Sequence, residues 1–146
     1  MSVAFLSSLR SVDPSNRGGA CIVNRENRIV GIGYCGFPRG IEYTREDAKF
    51  CMCHSIMNAI LNKNQYDIRG CRLYTTRFPC NECAKLVTQS GISRVTFSGE
   101  CVEEIVAASR ILFTLAGISV CQFIPRNRDK VSIGVKCTPQ TAPKLE

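Results

Sequence analysis

Apolar positions along the chain alternate between helical and strand-like spacing. Phe5, Leu6 and Leu9 recur three and four apart within residues 3–10, which predicts a helix broken by Asp13-Pro14. Gly18-Gly19 opens a short apolar run at 20–23, and the polar connection 24–28 leads into the apolar run 29–34. Two such runs around a polar turn predict an antiparallel hairpin. Gly36, Pro38 and Gly40 predict a loop, which continues through the charged residues 42–49 as a mobile segment. Ile56, Met57, Ala59, Ile60 and Leu61 make a helix over about 50–61 apolar around much of its circumference, as a helix buried between other elements would be. Beyond it the pattern predicts a strand at 72–76, a helix at 81–89, a strand at 95–97, a helix at 102–116 stopped by Gly117, and a strand at 119–124. A hairpin followed by alternating strands and helices predicts an α/β sandwich. Its mixed sheet should be antiparallel at the hairpin and largely parallel beyond it. Residues 1–125 form the expected domain; 126–146 is a basic, Pro-containing tail with a brief apolar patch at 131–135, expected to be partly ordered.

The 146 residues, 45% of them hydrophobic and 21% charged, suit a single core and exclude two large domains. There is no run of about 18 apolar residues, which argues against a membrane span. The opening stretch lacks a charged leader and a cleavage site, so a cytoplasmic, or else nuclear, location is expected. The net charge of +7 favours anionic partners, nucleotides and nucleic acid among them. Scattered basic residues and the lack of tryptophan or an aromatic ladder argue against a nucleic acid strand. Ten cysteines without an export signal point to reduced thiols rather than a disulfide framework. Cys21, Cys71, Cys101 and Cys121 sit in or beside apolar stretches and read as small buried hydrophobes.

Cys80 and Cys83 differ. In Pro79-Cys80-Asn81-Glu82-Cys83 two thiols stand three apart at the first turn of a helix, on one face of it. Exposed N–H groups there favour the thiolate, the form that binds metal. Such a pair could equally be a redox couple or an accident. The single histidine, His54, begins the preceding helix, and in a strand-loop-helix arrangement neighbouring helix N-termini open on the same sheet edge. His54, Cys80 and Cys83 would then converge on a tetrahedral Zn2+ and leave a fourth position for water or another ligand.

His54-Ser55-Ile56-Met57-Asn58-Ala59-Ile60 followed by Pro79-Cys80-x-x-Cys83 resembles the zinc deaminase signature H-x-E…P-C-x-x-C. Gly19-Ala20-Cys21-Ile22-Val23-Asn24, Gly31-Ile32-Gly33-Tyr34-Cys35-Gly36-Phe37-Pro38 and Phe78 to Lys85 are similar to deoxycytidylate (dCMP) deaminases in particular. The resemblance implies a three-layer α/β/α cytidine-deaminase-like fold with a five-stranded mixed sheet. It also implies zinc on His54, Cys80 and Cys83, and hydrolysis of dCMP to dUMP. It further implies an oligomer, regulation by dCTP and dTTP near the Gly-Tyr-x-Gly-x-Pro loop, a sugar contact at Asn24, and nucleotide near Tyr34 and the following Cys35.

The chain departs from that pattern at Ile56, where the signature has the glutamate that shuttles protons. Isoleucine carries no proton, so no catalytic residue is assigned. Cys35 replaces the asparagine usual in Gly-Tyr-Asn-Gly, and an amide able to bond sugar or phosphate is lost with it. Ser55 stands where alanine is usual, and the 41–50 loop is shorter than in similar proteins. The expected function is therefore a zinc-binding pseudoenzyme or regulatory subunit that binds deoxycytidine nucleotides, as a homo-oligomer or with an active relative. The alternative is an active deaminase whose proton shuttle has moved to Glu42, Glu46 or Asp47. A third possibility has Cys51 or Cys53 closing the zinc as a fourth thiolate ligand.

Overall fold

The computed structural model of the chain describes residues 1–14, 17–40, 51–99 and 103–125. The elements run α1 (Ser2–Ser8), β1 (Gly19–Val23), β2 (Ile29–Tyr34), α2 (Ser55–Leu61), β3 (Arg72–Arg77), α3 (Asn81–Gln89), β4 (Arg94–Gly99), α4 (Glu103–Leu115) and β5 (Ser119–Gln122). The five strands lie in the order β2-β1-β3-β4-β5. β1 is antiparallel to both β2 and β3, whereas β3, β4 and β5 are parallel. The expected mixed sheet is present, antiparallel at the hairpin and parallel beyond it. Among the described residues no helix is long and apolar enough to cross a membrane.

Register decides which face each helix covers. Side chains alternate along β1, and a Cβ on Gly19 would strike the Ala4 carbonyl and Ser7 of α1. A Cβ on Gly33, whose partner is Ala20, would strike the backbone of Ser55 and Ala59 in α2. α1 therefore lies on one face and α2 on the other. Ala20, Ile22, Leu73, Val95 and Phe97 point to the α2 side. There they join Ile56, Ala59 and Ile60 of α2, Cys83, Ala84 and Val87 of α3, and Val106 and Phe113 of α4 in one buried cluster. Phe78 adds an edge-to-face contact with Phe97 at 4.9 Å between ring centroids. The result is three layers, with a short helix on one side and three helices around the main core on the other.

Some expectations need correcting. α2 begins at Ser55 rather than near 50, because Cys53 is still extended: its N–H donates to the Gly36 carbonyl at 2.8 Å and its carbonyl accepts from Gly36 at 3.2 Å. Nor is α2 buried all round, since Leu61 is 72% exposed while Ser55, Ile56, Ala59 and Ile60 are buried. Cys21 and Cys71 are buried as expected, but Cys121 on the edge strand β5 is exposed. Cys101, the loop 41–50 and the tail 126–146 lie outside the described residues.

Candidate metal centre

Two helix starts meet at one edge of the sheet. β3 ends at Arg77, the buried Phe78-Pro79 follows, and Cys80 is the N-cap of α3 with extended backbone, φ −70° and ψ 170°. Its carbonyl accepts the Ala84 N–H at 2.9 Å, which sets Cys83 in the first turn. His54 is the N-cap of α2, with φ −69° and ψ 150°, and its carbonyl accepts the Asn58 N–H at 3.0 Å. The Asn58 side chain in turn donates to the Tyr34 carbonyl at 2.8 Å, pinning the helix start to the end of β2. The absence of a side chain at Gly33 lets α2 approach the sheet closely enough for this.

The two caps bring His54, Cys80 and Cys83 together, with all three ligand atoms within 4.8 Å of one another. The His54 Nδ1 lies 3.3 Å from the Cys80 Sγ and 3.4 Å from the Cys83 Sγ. Tetrahedral zinc with bonds of about 2.0 Å to nitrogen and 2.3 Å to sulfur spaces its ligands roughly 3.5–3.8 Å apart. The centre is thus already shaped for such an ion, with Nδ1 as the imidazole ligand. Hydrogen bonds from Cys83 and then His54 hold the Cys80 thiol down to about 3, so it is a thiolate at neutral pH. The bond to Cys80 raises His54 above the ordinary imidazole value. Cys83 is pushed upward, first by its bond to Cys80, then by burial and the neighbouring Cys80 charge, with a smaller push from Cys35.

A cavity of about 190 Å³ opens on the three ligands. Gly18, Cys35, Ser55, Ile56, Thr75, Arg77, Phe78 and Pro79 complete its lining. Ile56 is only 3% exposed and forms part of this wall as well as of the core. No carboxylate occurs among the described lining residues, and Arg77 is their one charged member apart from the ligands. Glu42, Glu46 and Asp47 lie outside the described residues. Cys35 is buried against Gly18.

Asn24 and Tyr34 are placed elsewhere. Tyr34 alternates with Gly33 and so faces the α1 side, where the Arg10 guanidinium lies 4.9 Å from its ring centroid. Asn24 sits at the far end of β1 from Gly18, six residues away and so about 20 Å along an extended strand. Its side-chain oxygen accepts the Arg28 N–H at 2.9 Å across the hairpin turn, and its amide donates to Gln65 at 3.3 Å. The structure does not bring Asn24 to the metal cavity. Cys51 and Cys53 do not line it either: Cys51 is exposed, and Cys53 is held by its bridge to Gly36. Conversely, sequence reasoning missed Gly18, Thr75 and Arg77. The alternation along β3 that buries Leu73 puts Thr75 and Arg77 on the same face, and could have found the last two.

Residues 1–99 match the model of the cytidine and deoxycytidylate deaminase zinc-binding region. The chain is 48% identical over 139 residues to deoxycytidylate deaminase of Mus musculus, covering 86% of this chain and 78% of that one. Identity to the Homo sapiens deoxycytidylate deaminase is 46% over the same length and coverage. The chain belongs to the deoxycytidylate deaminase family. Among solved structures, dCMP deaminase of cyanophage S-TIM5 in complex with dCMP and dUMP superimposes with a TM-score of 0.73 at 25% identity, covering 84% of this chain and 92% of that one. The cytidine-deaminase-like fold expected from the resemblance is therefore the observed one. Zinc is the cofactor of this family's site, and His54, Cys80 and Cys83 form a group that could hold it here.

Proposed function

We propose that this chain binds deoxycytidine nucleotides without appreciable deamination, as a binding or regulatory subunit of its family. The observation that carries this reading is Ile56. It occupies the cavity wall two residues after the metal histidine, where the signature places the carboxylate. Zinc, when bound, acidifies a coordinated water. The chain's own residues would still have to take that proton, deliver it to the ring nitrogen and serve the leaving ammonia. An isoleucine side chain does none of these.

The nucleotide half of the proposal draws support from the dCMP and dUMP bound by the cyanophage relative and from Arg77 at the cavity, a cation suited to a phosphate. dCTP and dTTP are the proposed regulators, with assembly as a homo-oligomer or with an active relative. A cytoplasmic or nuclear location accords with the free cysteines, eight of them among the described residues.

The test is incubation of the zinc-loaded protein with dCMP, with and without dCTP, beside an equilibrium binding measurement. Bound nucleotide with no dUMP is the expected result. Turnover within the ordinary enzyme range of about 1–1000 per second would overturn it. In that case Glu42→Gln and Glu46→Gln would show whether the shuttle has moved.

A further inference from the structure

Resting on the reading of Ile56 above, we infer that Cys35 supplies a fourth ligand and closes the zinc into a structural Cys3His site. Four metal-binding side chains line one cavity of about 190 Å³: His54, Cys80, Cys83 and Cys35. The first three form the preshaped triad, and Cys35 is the remaining thiol on the wall. It is 5% exposed. A Cβ on Gly18 would come within 2.7 Å of the Cys35 Sγ and 3.3 Å of the Ser55 Oγ, so the sulfur and the residue after His54 share the space that Gly18 leaves open. Cys35 is not among the atoms within 4.8 Å of one another, so the proposed bond requires its sulfur to turn toward the triad by a change of staggered rotamer. Its thiol proton leaves to solvent as the sulfur–zinc bond forms, and no oxidant is involved.

The chemistry favours this exchange. Zinc takes thiolate readily, and structural zinc sites are four-coordinate with Cys3His among the standard sets, whereas hydrolytic sites keep three protein ligands and a water. A hydrolytic centre needs both a base and an open position. This cavity has lost the base at Ile56 and gained a thiol at Cys35, and a closed centre accounts for both differences together. Neither Cys51 nor Cys53 lines the cavity.

X-ray absorption at the zinc edge of the protein as purified tests the inference without any variant. Three sulfurs near 2.3 Å and one nitrogen near 2.0 Å are expected; two sulfurs with two lighter ligands would overturn it. In the cobalt-substituted protein, Cys35→Ser should lower the thiolate-to-metal charge-transfer band by about a third, as three sulfurs become two, while Cys53→Ser leaves it unchanged. An unchanged band in Cys35→Ser would also overturn it. The zinc-edge count decides the matter even where Cys35→Ser fails to fold. Two sulfurs with no dUMP formed would sink Cys35 as a ligand and leave the reading of Ile56 standing; three sulfurs with rapid dUMP formation would keep Cys35 as a ligand but sink both the closed centre and the reading of Ile56.

Discussion

Returning the carboxylate by Ile56→Glu separates the two losses proposed for the cavity. Ile56 is 3% exposed, so replacing it removes about 1.5–3 kcal/mol of apolar burial and places an acid in a largely dry wall. The nearby dication offsets part of that cost, and the zinc-loaded protein should stay folded. General acid–base catalysis contributes roughly two to four powers of ten, or about 3–5 kcal/mol of barrier. With Cys35 on the zinc, however, the new base has no water to act on. The single variant should therefore stay within tenfold of the unmodified chain. Cys35→Asn alone opens the coordination position but supplies no base, and should also stay low. The double variant is expected to exceed either single one by about a hundredfold or more, a non-additive gain of the kind shown by groups that act as a unit.

The assay is dUMP formation from dCMP, run beside zinc content and thermal unfolding for every variant. A double variant that holds one zinc, binds nucleotide and still forms no dUMP would refute the claim that base and open position are what the site lacks. Ile56→Glu alone reaching the rate of the double variant would refute only the role given to Cys35.

Other outcomes follow from the same geometry. In the zinc-free protein Cys80 should be alkylated by iodoacetamide in preference to Cys83, at a rate nearly flat from pH 8 to pH 5. Its thiol is held down to about 3, so the thiolate persists until the pH falls toward that value; peptide mass spectrometry reads it, and zinc should protect. Gly33→Ala should destabilise by about 3 kcal/mol or more in a denaturant melt, because its methyl group meets α2 backbone that cannot turn aside. Arg77→Gln should weaken dCMP binding by about tenfold, close to the lower end for a charge-assisted hydrogen bond, and leave deoxycytidine binding nearly unchanged by calorimetry. Asn24→Ala should cost about 1 kcal/mol of stability through its lost bond to the Arg28 N–H, with no change in nucleotide affinity.

What could be read from the sequence was what is decided locally. The α3 boundaries follow from Pro79 and an apolar stripe. The hairpin follows from two apolar runs around 24–28, and the alternation of later elements fixes a parallel sheet. His54, Cys80 and Cys83 were legible because helix starts after neighbouring strands open on the same edge, and two of the three ligands sit within one turn. The start of α2 was not legible: nothing in residues 50–54 announces that Cys53 is bridged to Gly36, a contact made across the fold.

Asn24 and Cys35 show that a motif alone does not fix place. Both lie in segments that resemble the family, and both were read as nucleotide contacts. The antiparallel hairpin pairs Gly19 with Tyr34, which puts Cys35 beside Gly18 at the cavity end of the sheet and sends Asn24 to the opposite end. Once that register is fixed, Asn24 lies at the end of β1 away from the cavity, while Cys35 is on the cavity wall. Resemblance had grouped the two residues; only strand register shows that one braces a turn and the other lines the cavity.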